Sequence, residues 1–322
     1  MVLSYSGADF CGWQKQPGVP TVQEELENAL YTLLGTPTPV VGAGRTDTEV
    51  SAAGYVLHFD APSEPDTRWL RCKLNAILPR SIAVSSVSPA AEDFHARFGA
   101  VRREYTYFLH REKDPFAEGW SFLFSYAGLD FDLMNRAAAL LVGTHDFSCF
   151  QKSGSDNKTT LCTVYEAAWH PYTPTHVSLF SPSPRCTPPC GAPAGGTCPP
   201  AARQVEPLPP DLSACSPTGG TPTPGTCPSA HGQVNQDFAD SQVVGSGYWY
   251  FRIAADRFLR NMVRAVVGTL LEVGRGKRPL TAADARPGCT IAPFDTLLDG
   301  GPRTASGESA PGYALFLSRV DY

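Results

Sequence analysis

From about Ser181 to about Gly247 the sequence abandons the pattern it keeps elsewhere. Stretches such as "SPSPRCTPPCGAPAGGTCPPAAR" and "SPTGGTPTPGTCPSAHG" consist mostly of Pro, Gly, Ser and Thr. Such a segment has too little apolar area to offset the entropy of ordering its backbone, so disorder or loose attachment is expected there. Strand-like segments stand on both sides, "TTLCTVYEAAWH" before and "GYWYFRIAAD" after. The break therefore reads as an insertion within a domain, and the fold has to be assembled from the segments on either side of it.

Outside the break, helix and strand signals alternate. Thr21 with Glu24 three residues on makes a capping-box pattern, and Val22, Leu26, Ala29, Leu30 and Leu33 recur behind it at helical spacing. Segments 54–59, 81–87 and 100–109 read as strands, with a helix over 66–76 between the first two. A further helix begins near Asp130–Asp132, with Leu133, Ala137, Leu140 and Leu141 on one face. Strands at 160–169 and 248–254 come after it. Next is a long helix striped by Phe258, Met262, Val263, Val266, Val267, Leu270 and Leu271, then a last strand, "YALFLSRV". Two successive mixed α/β halves on antiparallel-leaning sheets fit this better than one doubly wound parallel sheet, because the helices are too few.

Composition narrows the functional classes. The chain has 322 residues and a formal net charge of -5, which gives no global attraction to nucleic acid or to an anionic membrane. Any nucleic-acid partner needs positive charge gathered locally. The opening "MVLSYSGADF" lacks a basic region followed by an apolar core, so no signal peptide is expected, and no apolar run approaches the ~20 residues that cross a bilayer. Ten cysteines, scattered rather than patterned, fit a reducing, cytoplasmic setting. Five of them (Cys186, Cys190, Cys198, Cys215, Cys227) lie in the break, but "CTPPC" has no matching second pair and His231 stands alone. Zinc is the weaker reading of that segment. No Walker loop, Rossmann fingerprint or HExxH occurs.

Three stretches carry candidate chemistry. In "GAGRTDTEV", residues 42–50, two glycines precede Arg45 and Asp47. On an extended backbone residues i and i+2 point to one side, so guanidinium and carboxylate could share a cleft, as an ion pair ordering a turn or as a catalytic pair. A carboxylate beside an arginine stays ionised and fixed in direction, which suits a nucleophile or a base. In "FHARFGAVRREYTYFL", residues 94–109, Arg97, Arg102 and Arg103 alternate with Phe94, Phe98, Tyr105 and Tyr107. Arginine for phosphates with aromatics for bases is what gripping exposed nucleotides requires, although an edge strand with a solvated basic face looks the same. In "DRFLRNMVRAVVGTLLEVGRGKR", Arg257, Arg260 and Arg264 recur at helical spacing beside the apolar stripe. An arginine placed there either snorkels to solvent or faces a fixed anion.

Taken in order along the chain, these segments resemble the TruA family of tRNA pseudouridine synthases. "YSGADFCGWQKQ" is similar to the family's N-terminal segment and "TVQEELENAL" to its first helix. "GAGRTDTEVSAAGYVLHFD" resembles its Gly-Arg-Thr-Asp loop, and "LNAILP", "FHARFGAVRREYTYFL", "THDFSCF", "FLRNMVRAVVGTLLEVG" and "APGYALFLSRVDY" its later motifs. The likeness covers everything except the break.

The resemblance implies an α/β (α+β) fold of two RRM-like, ferredoxin-like halves, 1–110 and 111–322. These would form one extended mixed, mainly antiparallel sheet with flanking helices, with 181–247 inserted in the second half. It implies isomerisation of uridine to pseudouridine in the tRNA anticodon stem-loop, at positions 38–40, by a homodimer using no cofactor and no metal. Asp47 would be the nucleophile, attacking the uracil ring or the ribose C1′. Tyr105 would stack on the target base and is a candidate for proton transfer, and Arg264 would pair with Asp47. Arg45 would hold the target nucleotide out of its stack, with Arg97 and Arg103 as further substrate contacts. The loop it resembles carries glycine where this chain has Glu49. A glutamate is strained if that position needs positive φ, and it brings a second acid near Asp47. A non-catalytic RNA-binding relative is the second reading and a metal-binding module centred on the Cys-rich break a third.

Overall fold

The computed structural model of the chain describes residues 1–154, 158–175 and 247–322. In chain order the strands are β1 (Val2–Tyr5), β2 (Val41–Gly42), β3 (Ser51–His58), β4 (Ile82–Ser86), β5 (Arg102–His110), β6 (Phe122–Leu123), β7 (Gly143–Asp146), β8 (Leu161–Pro171), β9 (Tyr248–Ala255) and β10 (Leu315–Asp321). The helices are α1 (Val22–Leu34), α2 (Thr67–Ile77), α3 (Phe131–Leu140) and α4 (Met262–Gly274). All ten strands form one mixed sheet in the order β4-β1-β3-β10-β5-β9-β8-β7, with β2 on β3 and β6 on β5. Among the described residues only the β10–β3 and β5–β6 pairings are parallel. The α+β class and the mainly antiparallel sheet are as expected.

The core sits where alternate strand residues meet the helices. On β5, Tyr105, Tyr107 and Leu109 are buried, while Glu104, Thr106 and Phe108 between them are only half-buried. Across the sheet Phe251, Ile253, Leu315 and Leu317 continue the buried side, against Met262, Val266 and Leu270 of α4. Packing of this kind is the main favourable term, at roughly 25 cal/mol per Å² of apolar surface removed from water.

The strands flanking the Pro-rich break are neighbours. β8 and β9 pair antiparallel along most of their length, with Glu166 opposite Ala254 and Trp169 opposite Phe251. The readings placed on 181–247, including the five cysteines and His231, fall outside the described residues apart from Gly247. β10 lies between β3 and β5, with Leu317 opposite Ala52 on one side and Tyr105 on the other. It makes one sheet out of strands far apart in the chain.

Three local expectations need correcting. Thr21 is the N-cap of α1 but makes no side-chain cap, and its buried hydroxyl is unpartnered. The N–H groups of Val22 and Gln23 instead donate to the carbonyls of Gly12 (3.3 Å) and Trp13 (3.0 Å), so the preceding loop caps the helix. On α3 the buried residues are Phe131, Met134, Ala137 and Ala138, while Leu140 is exposed. α4 starts at Met262 rather than at Phe258, because Asn261 takes a left-handed conformation, φ 67°, just before it. No described helix is long and apolar enough to cross a membrane.

Candidate active site

The segment between β2 and β3 leaves the sheet at Gly42, where a side chain would overlap the ring of Tyr55. Ala43 N–H still donates to Val56 O (2.8 Å), and the Tyr55 hydroxyl donates to the Gly44 carbonyl. From there to Ser51 the loop is pinned from below. The buried Thr46 hydroxyl lies 2.9 Å from that of Tyr5, and the Thr46 carbonyl accepts from Trp13 N–H (3.2 Å). Glu49 N–H donates to Phe10 O (3.2 Å), and Gly7 N–H to the Ser51 hydroxyl (3.0 Å). Tyr5, Trp13 and Tyr55 form the bed, with Trp13 and Tyr55 stacked at 4.1 Å. Burial pushes both tyrosines well above the usual phenol range, so they stay neutral.

Close approach to this loop is what requires two of its surrounding glycines. Gly12, at φ 92°, has no room for a Cβ against the Thr46 carbonyl, and Gly312 has none against the Thr48 carbonyl. Glu49 does occupy a left-handed conformation, φ 67°, as its replacement of glycine suggested.

Asp47 projects from the middle of the loop, its side chain 24 % exposed. The cation beside it is Arg260, whose Nε lies 3.8 Å from Asp47 Oδ1. The pairing expected with Arg264 is not formed. Arg264 Nε donates to Ala310 O (2.7 Å), and Ala310 N–H donates back to Arg264 O (3.0 Å). Arg264 thereby ties the head of α4 to the segment whose Gly312 presses on Thr48. The physical reason is the Asn261 turn: Arg260 precedes it and swings out with the loop, while Arg264 comes after it and is held in the helix. Helical spacing in the sequence groups Arg260 with Arg257 and Arg264 but does not single it out, since the regular helix begins only after that residue.

Tyr105 is buried on β5, with Phe258 edge-on to its ring at 5.0 Å. Its phenol is raised well above the ordinary range, first by burial and then by the negative charge of Asp47, with Arg103 opposing. That coupling places Tyr105 in the field of Asp47 and keeps it protonated, able to donate a hydrogen but not to act as a base near neutrality.

The remaining arginines divide by their occupation. Arg45 and Arg97 are exposed, and neither guanidinium makes a hydrogen bond or ion pair among the described residues; Arg97 lies over the Phe98 ring at 5.6 Å. No ion pair joins Arg45 to Asp47, and residues 45–47 form irregular loop rather than the strand that the i, i+2 reading assumed. Arg103, expected as a substrate contact, directs its donors to main-chain carbonyls. Nε and Nη2 reach Ala43 O (3.2 and 3.0 Å), Nη1 reaches Ala100 O (3.3 Å) and Asp256 O (2.8 Å), and Nη2 also reaches Arg97 O (2.6 Å). It fastens the Asp47 loop, the 97–100 segment and the end of β9 to one another. No cluster of His, Cys, Asp or Glu among the described residues could hold a metal ion.

A sequence model of the family described as tRNA pseudouridine synthase matches residues 1–99 and 137–322. The chain is similar to the tRNA pseudouridine synthase A of Porphyromonas gingivalis, 35% identical over 322 residues that cover 99% of this chain and 95% of that protein. Proteins of the same name from Parabacteroides distasonis (35% identical, covering 99% of this chain and 94% of that one) and Bacillus subtilis (34%, covering 99% and 97%) match over similar lengths.

Proposed function

Because the chain belongs to the tRNA pseudouridine synthase family, we propose that it isomerises uridine in the tRNA anticodon stem-loop, at positions 38–40, with Asp47 as nucleophile. The observation that carries this reading is Asp47 on its pinned loop with the Arg260 guanidinium 3.8 Å away and the buried Tyr105 within reach of its charge. A nucleophilic carboxylate needs a fixed direction and a retained charge. The pinned loop supplies the first, and the Arg260 guanidinium stands beside the carboxylate as its counter-charge.

In the isomerisation the bond from ribose C1′ to the ring nitrogen breaks and a bond from C1′ to ring carbon C5 forms. The C5 proton leaves as the ring nitrogen gains one, so the reaction balances with no oxidant or co-reactant. Asp47 attacks the ring or C1′ and holds one fragment while the base turns. The neutral Tyr105 phenol lies beneath the base and serves as hydrogen donor. Arg264 acts through the Ala310–Gly312 segment on the loop, and Arg103 through Ala43. Arg45 and Arg97 are free to meet phosphates.

The same reading takes 1–110 and 111–322 as two halves and the active form as a homodimer. The half-buried aromatic side of the sheet around Phe108, Tyr250 and Phe316 offers a surface for the second copy. Sedimentation equilibrium at micromolar protein tests that part, and a monomer across the range would remove it.

The deciding experiment is carbodiimide mapping of pseudouridine in a tRNA transcript treated with wild type, Asp47→Asn and Asp47→Ala. Wild type is expected to mark the anticodon stem-loop. Both variants should fold with near wild-type Tm and leave no mark. Substantial residual modification by Asp47→Ala would sink the nucleophile, and would leave the family assignment standing.

A further inference from the structure

Phe98 is the most exposed large apolar side chain among the described residues, at 77 %. An exposed phenylalanine is ordinary by itself, since much of any protein surface is apolar. This one is held in place. The N–H groups of Arg97 and Phe98 both donate to His95 Nδ1 (3.2 and 3.1 Å), and the His95 and Phe98 rings lie 4.4 Å apart, tilted by 32°. His58 holds the residue before, accepting from Ala96 N–H at 3.1 Å, and its ring lies 4.9 Å from that of His95. The Arg97 guanidinium carbon lies 5.6 Å from the centre of the Phe98 ring, which stays largely exposed. The turn is also fixed relative to the Asp47 loop, because one nitrogen of Arg103, Nη2, bonds both the Arg97 and the Ala43 carbonyls. An exposed, preorganised aromatic ring beside an exposed arginine, next to the loop that carries Arg45 and Asp47, is a nucleotide-binding arrangement.

From this we infer that Phe98 is a stacking platform for a nucleobase neighbouring the target uridine, with Arg97 on its phosphate. The inference rests on the reading of the Asp47 site as one that acts on tRNA. It adds a base subsite supplied by the 95–98 turn. A base unstacked from its neighbour when the target leaves the helix lands on the Phe98 ring and recovers the lost stacking there. The platform is indifferent to base identity, since every base offers a π-face.

Two measurements on the full-length protein test it. In steady-state assays with a tRNA transcript, Phe98→Ala and Phe98→Leu are each expected to raise KM about tenfold while kcat stays within about twofold, and Phe98→Trp to restore KM. Their Tm should match wild type, because the side chain is exposed. Separately, Phe98→Trp placed in the Asp47→Asn background is titrated with the same tRNA. Stacking quenches the added tryptophan's fluorescence without requiring turnover. Quenching in a protein whose wild-type parent makes no pseudouridine would uphold the platform and overturn the isomerase reading. An active wild type with unchanged KM in Phe98→Ala, or no quenching in the tryptophan variant, overturns the platform. So does a KM defect in Phe98→Ala that leucine corrects as well as tryptophan, since that is apolar filling rather than stacking.

Discussion

Glu49 stands at φ 67°, two residues after Asp47, where a side chain meets the following carbonyl and the backbone is strained by about 1–2 kcal/mol. Its carboxylate is exposed and makes no ion pair among the described residues, so no side-chain ion pair offsets the strain. Glu49→Gly is therefore expected to stabilise the protein by about 1 kcal/mol, which for a chain of this size raises Tm by roughly 2–4 °C. It also removes a negative charge from the face that meets RNA, so KM for tRNA should fall. Calorimetry and steady-state assays read the two effects separately. An unchanged Tm would mean that Glu49 makes a compensating interaction with the loop.

At the scale of elements, the 94–98 turn depends on two imidazoles used as acceptors, His58 for Ala96 N–H and His95 for Arg97 and Phe98 N–H. An acceptor nitrogen carries no proton, so protonation breaks these bonds. Burial, and then the neighbouring His95, hold His58 below its ordinary value of 6.5, and burial does the same to His110. With the folded value below the unfolded one, the unfolded chain binds more protons. The stabilisation is complete above the ordinary histidine value and is lost as pH falls through the folded one. Thermal scans from about pH 7 to about pH 5 should show Tm falling, and His58→Asn, which keeps an acceptor and removes the titration, should flatten part of that slope. A wild-type Tm that rises on acidification would contradict it.

The same scale shows what could be read from residues alone. α1, α2, β3, β5, β8, β9 and β10 obey periodicities that burial enforces, and their residues announced them. The two-residue strands β2 and β6 are too short to show a period; they exist because β3 and β5 offer them open edges. Asp47, Arg45 and Tyr105 could be named as candidates from residue type and spacing, while their roles came only with the family resemblance. Arg260 was one of three candidate arginines and could not be singled out, since its approach to Asp47 depends on the left-handed turn at Asn261. Nor could the occupation of Arg103 be foreseen, since it is set by carbonyls of three separate segments. Thr21 shows the opposite failure, a correct capping pattern overridden by carbonyls from a neighbouring loop.

Over the whole molecule, a net charge of -5 has to be reconciled with an RNA substrate. Several arginines are already paired: Arg102 and Arg252 with Glu104 and Glu166, and Arg278 with Glu272. By contrast Arg45 and Arg97 are exposed near the Asp47 loop, and Arg260 is 60 % exposed despite its contact with Asp47. Binding should thus be strongly salt-dependent in spite of the overall sign. Each of Arg45→Ala and Arg97→Ala should flatten the plot of log K against log salt by about 0.7–0.9 for every phosphate the variant no longer neutralises. Filter binding across a salt series measures this, and an affinity indifferent to salt would point to a different partner.

The position of β10 also bears on how the molecule is made. Thr106 of β5 bonds Ser318 of β10 across 212 residues of sequence. At 5–20 residues per second, a ribosome takes on the order of 10–40 s to deliver the second after the first. Throughout that interval the β3 and β5 edges that will receive β10 have no partner, and open strand edges invite pairing with other chains. β3, which follows the Asp47 loop, and β5, which carries Tyr105, are joined in the sheet by β10, so this part of the sheet has no finished form until that late segment has emerged. Chain length alone thus sets a delay between making the first partner of this contact and closing it.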